Sequence, residues 1–276
     1  PSGYAALNTT ALPAATIEDG SAYFDAVLYT GDGTSSKAIT GLEFSPDLVW
    51  TKCRSVAHWH ALGDTVRGAG PTVASNINYQ EINDGLYSSF DSNGFTVAKY
   101  NTNESTNDAN ETFVSWAWDA GSSTVSNTDG SITASVRANA SAGFSICTFT
   151  SPASGTFSFG HGLNAAPELV LVKTRGATSD WSVYHASVVD TTSKYLVLNS
   201  TAALATYSTI WGSALPTSSV VGLTSGGAVA TSQTCVAYCF APVAGYSAMG
   251  SVDTNGTTDN AFIYLGFRAK FIMFKR

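Results

Sequence analysis

A nine-residue phrase occurs twice in this chain. Pro46 to Arg54, PDLVWTKCR, matches Pro167 to Arg175, PELVLVKTR, at a constant offset of 121, with Pro, Leu, Val, Lys and Arg identical. The match extends in both directions: Phe24 answers Phe144 upstream, and Gly41-Leu42 answers Gly162-Leu163. Downstream, ETFVSWAW faces QTCVAYCF, so that Trp116 and Trp118 meet Tyr238 and Phe240. A repeat of roughly a hundred residues is a domain rather than a solenoid turn. The chain must therefore build one body twice, and a third copy begins at Tyr246, passes GTTDNAFIYLGF and reaches KFIMFKR at Lys270–Arg276.

Within a copy, short apolar runs alternate with clusters of Gly, Asn, Asp and Ser, the texture of strands and turns. AYFDAVLYT, DLVWTKCR, HWHALGDTV, GFTVAKY and TFVSWAW read as strands, and GDG (31–33) and DSNG (91–94) as turns. In DLVWTKCR, Leu48 and Trp50 point one way and Val49 and Thr51 the other. In the second copy Leu169 and Leu171 oppose Val170 and Val172. Apolar residues on both faces predict a central strand covered on both sides. KFIMFKR is expected to be a strand of the same kind. Lys52, Lys173 and Lys275 then stand at the far ends of three such strands, where an ammonium can reach water while its stem packs. Trp59 and Trp181 recur shortly after the lysine, and with the lysines they serve as structural repeat anchors. The fold expected is all-β: tandem homologous sandwich-like modules with a truncated third copy. Residues 1–20 form a linker from a preceding module, 21–121 module 1, 122–141 a linker pairing in part with a module's edge, 142–245 module 2, and 246–276 the start of module 3. That last segment is too short to bury its own aromatics, so docking on a neighbour, or continuation of the natural chain, is expected.

Charge narrows the function. Thirteen Lys and Arg against twenty Asp and Glu leave a net charge of -7, opposing the phosphate attraction that dominates nucleic-acid binding. No run of about 18 apolar residues predicts membrane insertion. The opening PSGYAALNTT lacks the regions of a signal peptide, and a chain beginning at Pro1 reads as processed or truncated. Cys53, Cys147, Cys235 and Cys239 lack zinc-ligand spacing and read as buried thiols. Asp32, Asp84, Asp91, Asp108 and Asp129 sit in apparent turns, where Asp bonds its own backbone, rather than as a glycosidase pair. The imidazoles of HWH, His58–His60, share one strand face but have no third ligand nearby in sequence. No catalytic residue, metal or cofactor is expected. Tyr79, Tyr87, Tyr207 and Trp211 lie in stretches rich in Ser, Thr and Asn, and are the candidates for glycan contact.

The combination YTGDGTSSKAITGLEFSPDLVWTKCRS, DTVRG, SSFDSNGFTV, FVSWAWDAG, SNTDGSI and GHGLNAAPELVLVKTRG resembles a repeated all-β module of large virion proteins, tail fibres or appendages, of tailed marine phages. The opening PSGYAALNTTALP resembles the stretch that follows SPRY or lectin-like modules there. The second copy departs from this pattern, with HASVVD in place of DTVRG and no FDSNGF. The resemblance implies a structural protein on the phage particle surface, assembled in the host cytoplasm. Its expected partners are other virion proteins, further copies of itself in a homo-oligomer, and a host surface glycan. Head decoration and host-polysaccharide depolymerase are the alternatives.

Overall fold

The computed structural model describes residues 15–100, 105–253, 256 and 262–275; the opening PSGYAALNTTALP lies outside them. Apart from a one-turn 3-10 helix at Gly20–Ala22, the regular structure of the described residues is antiparallel β-sheet, so the fold is all-β. The first half holds β1 (Phe24–Thr30), β2 (Lys37–Thr40), β3 (Leu48–Cys53), β4 (Ala61–Asp64), β5 (Pro71–Ala74), β6 (Ile82–Asn83), β7 (Tyr87–Asp91), β8 (Gly94–Val97) and β9 (Thr112–Trp118). They make a six-stranded sheet, β1-β9-β3-β4-β5-β6, and a three-stranded one, β2-β8-β7.

The second half holds β10 (Thr124–Asn127), β11 (Ala134–Asn139), β12 (Phe144–Thr150), β13 (Thr156–Gly160), β14 (Leu169–Thr174), β15 (Ser182–His185), β16 (Lys194–Val197), β17 (Ala205–Thr206), β18 (Val220–Thr224) and β19 (Thr234–Phe240). Its large sheet runs β10-β11-β12-β19-β14-β15-β16-β17, beside a pair β13-β18. Without the β10–β11 hairpin, the two large sheets have the same strand order. Their registers also agree, since Trp50 pairs with Trp116 and Lys52 with Val114, while Leu171 pairs with Tyr238 and Lys173 with Val236. The 122–141 stretch, expected as a linker, is mostly this hairpin, and β11 pairs along the outer edge of β12 from Ser135 to Asn139.

Three apolar cores separate four layers of sheet. Val49, Ala61 and Ala117 meet Ile39, Phe95 and Val97 of the small sheet in the first half. Val170, Val172 and Ala237 meet Phe157, Phe159, Val221 and Leu223 in the second, together with Cys147, Cys235 and Cys239. The third core lies between the large sheets, where Leu48, Trp50, Leu62, Val73 and Trp118 face Phe144, Ile146, Leu171, Trp181, Val183, Val236 and Tyr238. Alternation along β3 and β14 thus serves two cores at once, as expected of strands covered on both faces. Each such side chain, fully buried, contributes about 1.5–3 kcal/mol. In the first half's core Thr51 and Ser115 share a hydrogen bond across the β3–β9 pair at 2.6 Å, and the Tyr87 hydroxyl donates to Thr51 Oγ1 at 2.8 Å. All four cysteines are buried and free.

The strand expected at Lys270–Arg276 does not form among the described residues 270–275. A strand needs a neighbour for its backbone groups, and no strand pairs with this segment. The segment docks through single side chains instead. Phe271 enters the middle core beside Phe24, Trp50, Trp116 and Trp118, with ring centroids 5.3–6.4 Å apart. Lys270 pairs with Asp25 at 3.1 Å, and Lys275 Nζ donates to Ser200 O at 2.6 Å.

Candidate functional site

Two of the four candidate glycan contacts fail on burial. Tyr87 is in the first half's core, its hydroxyl bonded to Thr51 and to Ala61 O. Trp211 is fully buried and donates from Nε1 to Lys194 O at 2.7 Å. Polar neighbours in sequence do not keep a large ring at the surface when its area can be buried. Tyr79 and Tyr207 are exposed. Tyr207 lies against Gly227, and its hydroxyl donates to Gly226 O at 3.3 Å.

The pairing registers also correct the equivalence of Trp59 and Trp181. Leu48 sits opposite Asp64 and Leu169 opposite His185, so the slot of Trp181 belongs in the first half to His60, and that of Trp59 in the second to Asp180. A shared hydrogen bond supports this assignment: Asn76 Oδ1 accepts from His60 N at 2.8 Å and Asn199 Oδ1 from Trp181 N at 2.9 Å. A slip of one residue moves a side chain to the other face of a sheet. Trp181 is accordingly buried between the halves, its Nε1 donating to Ala74 O at 2.8 Å. Trp59 stays half-buried at the surface against Tyr79.

The lysines part company as well. Lys52 is half-buried and donates to its neighbour's carbonyl, Cys53 O. Lys173, expected to reach water, is fully buried, because the loop at 76–81 of the first half closes over it. Its ammonium donates to Asn78 O at 2.9 Å and to Ser179 O. Burial pulls its pKa down to about 8, with Asp180 acting weakly the other way.

Around this loop the two halves are joined by buried charge. Arg67, in the DTVRG phrase, has no exposed side-chain surface. It donates to Asp64 Oδ2 at 2.6 Å, Glu81 Oε2 at 3.0 Å, Leu62 O at 2.9 Å and the Tyr238 hydroxyl at 3.0 Å. Tyr238 donates in turn to Asp64 Oδ2 at 2.8 Å. Arg175 grips Glu81 through Nε and Nη2, each at 2.7 Å. Burial opposes the Arg67 charge, but Asp64, Tyr238 and Glu81 outweigh it and raise the pKa. Burial likewise opposes the Glu81 carboxylate, and Arg175 and Arg67 bring its pKa down. Every partner of this arginine is internal, so the cluster ties the sheets together and offers no free group to a substrate. Asp47, also buried, pairs with Arg137 of the hairpin at 2.7 Å and accepts from Thr65 Oγ1 and Ala120 N.

The turn aspartates act on their own loops. Asp32 and Asp84 accept from backbone N–H groups two residues on, Thr34 and Leu86. Asp91 accepts from Ser89 and Thr96 hydroxyls. His58 Nε2 lies 3.0 Å from Asp108 Oδ2, and no three His, Cys, Asp or Glu converge on a common point among the described residues.

Two open places remain. A groove of about 230 Å³ lies beside β13 and β18, lined by Ser131, Phe157, Ser158, Leu215 and Thr217 among others. Three of its hydroxyls are engaged: Ser131 and Ser158 each accept from the other's backbone N–H, and Thr217 Oγ1 accepts from Ser219 N and Val220 N. The other is a ledge where Tyr79, 46% exposed, leans on Trp59 with centroids 5.6 Å apart and planes at 41°. Beneath it is a cavity of only about 10 Å³, room for one water. Asn76, Asn78 and Gln80, in the same loop as Tyr79, are exposed, and Gln80 lines the cavity together with the two rings.

The surface so described belongs to an all-β body of four sheet layers that carries an aromatic ledge. The chain belongs to the family described as a domain of unknown function (DUF7483), whose model matches residues 19–276. No curated protein and no solved structure matches it. No helix among the described residues is long and apolar enough to cross a membrane.

Proposed function

We propose that this chain is a non-enzymatic structural protein of a phage virion, part of a tail fibre or adhesion appendage that contacts the host surface. It carries two homologous β-sandwich-like modules, 21–121 and 142–245, and the beginning of a third at 246–276. The modules' kinship is supported by the common strand order and register of the two large sheets. The observation that carries the functional reading is the junction. Asp64, Arg67 and Glu81 of the first module pair with one another and reach the second module through the Tyr238 hydroxyl and Arg175, as suits an appendage under mechanical load rather than a reaction centre. The partners in this reading are other virion proteins and further copies of the same chain at the particle surface, and the ligand is a host glycan.

Labelling the chain in intact particles tests the location. Density or antibody on tail fibres is the expected result; labelling of the head would replace the appendage reading with decoration. Incubation of the purified chain with host-envelope glycans tests the activity, and release of sugar would establish a depolymerase instead.

A further inference from the structure

We infer that Trp59 and Tyr79, with the side-chain amides of Asn76, Asn78 and Gln80, form a binding ledge for neutral pyranose units of a polysaccharide. The inference deepens the adhesive part of the function proposed above and rests on it for the biological setting, though not for the binding itself.

Four observations converge. First, the ring pair is not needed by the shared sheet. The second half has Asp180 in the slot of Trp59, and Ala202 in that of Tyr79 when Asn199 is set on Asn76. Both large sheets form regardless, so the rings are a local addition to one half. Second, the rings are open from above and closed from below. Tyr79 is exposed, while the space beneath the pair has room for a water and no more. A ligand must therefore lie across the ledge, as a sugar ring does when its C–H face stacks on an aromatic.

Third, the loop that carries Tyr79 is pinned at each side of it. Asn76 is fixed by His60 N, and the Asn78 carbonyl accepts from Lys173 Nζ and from Ser179 N at 2.9 Å. Glu81 N donates to Arg175 O at 2.9 Å while its carboxylate takes both guanidinium groups. Between these pins the side chains of Asn78, Tyr79 and Gln80 are exposed, and Asn76 keeps its amide N–H groups for a ligand. Fixing a loop before binding removes the ordering cost that would otherwise weaken a small contact area. Lys173 is thus a positioning residue for the ledge, supplied by the other half.

Fourth, the side chains that form the ledge carry no charge of their own. The nearby groups Asp64, Arg67, Glu81 and Arg175 are closed in ion pairs, and the Asp84 carboxylate is turned to Thr72 Oγ1 at 2.7 Å. The exposed polar groups are amides, each able to donate to and accept from a sugar hydroxyl. None of the five ledge side chains offers a cation to an anionic ligand.

The test uses the full chain with chitohexaose, cellohexaose and maltohexaose as probes, followed by tryptophan emission and by saturation-transfer NMR of the sugar. At least one probe is expected to bind in the millimolar range. Tyr79→Ala and Trp59→Ala should each weaken binding about tenfold or more, while Tyr79→Phe stays within about threefold of the parent and Val125→Ala, at an exposed position of β10, changes nothing. Near-UV circular dichroism of each variant separates lost binding from lost fold. Lys173→Met, which touches no ligand, should weaken binding with the ring-contact pattern retained. Failure of all three probes, or undiminished binding by Tyr79→Ala, overturns the inference, and preference for a polygalacturonate probe overturns its neutral-ligand part. None of these results bears on where the chain sits in the particle. Particle labelling can fail while sugar binding holds, and the reverse, so the two claims fall separately.

Discussion

The two halves are alike where strands pair and unlike where they meet each other. In both, the three middle strands of the large sheet share one register. At the junction the first half contributes Asp64, Arg67 and Glu81, and the second Tyr238 and Arg175. The counterparts of these groups are different: His185 stands for Asp64, Val188 for Arg67 and Trp116 for Tyr238. The edges differ as well. β12 is covered by β11, whereas β1 is an outer strand with Leu28 64% exposed. The lesson is that the two halves share what makes a sheet and differ in what makes the pair. A two-fold symmetric junction would repeat the Arg67–Tyr238 contact between their counterparts, but Val188 has no polar side-chain group to offer Trp116.

This contrast can be broken at its most charged point. Arg67→Met leaves the Asp64 carboxylate buried without its cation, while Glu81 keeps Arg175, and should destabilise the chain by about 3–5 kcal/mol in urea unfolding. The matching change at Val188, its counterpart, has no such network to disturb. Tyr238→Phe removes the hydroxyl that bridges Asp64 and Arg67 and should cost about 1–3 kcal/mol, whereas Trp116→Phe alters packing alone.

Lys173 sharpens the comparison through pH. Its folded pKa, about 8, lies below the unfolded value of about 10.4. Between the two the unfolded chain binds more protons, so stability rises with pH. The wild type should gain roughly 1–2 kcal/mol over Lys173→Met between pH 8 and pH 10, read as a shift in denaturation midpoint. Above pH 10 the buried Tyr87 and Tyr238, whose pKa values burial raises, reverse the trend, because the unfolded chain then sheds protons that the folded one keeps. Smallest of all is Tyr79→Ala. As a surface substitution it should move stability by no more than about 0.5 kcal/mol, which makes it a clean probe of the ledge.

Much of the sheet was legible in the sequence, and the junction was not. The two-sided burial of β3 and β14 follows from alternation in LVWTKC and LVLVKT, a property of consecutive residues. The Arg67 cluster depends on Tyr238, which lies 171 positions away; DTVRG marks a special place but cannot name the partner. Trp59 and Trp181 were misjudged because they follow their lysines by seven and eight residues, and in a period-2 element one residue decides the face. Tyr87 and Trp211 were misjudged because polar neighbours in sequence say little about which large rings a sandwich will bury. KFIMFKR has the composition of a strand, but its described residues, 270–275, pair with no strand, and among them Phe271 alone packs into a core.

The central claim is that the middle core and its charge cluster make one cooperative body of two similar halves. Scanning calorimetry of the intact chain measures this directly. The account predicts a single transition whose calorimetric and van't Hoff enthalpies agree for the wild type, with Arg67→Met separating it into two. Two independent transitions in the wild type, each carrying about half the enthalpy, would show the halves to be neighbours rather than one body, and would contradict it.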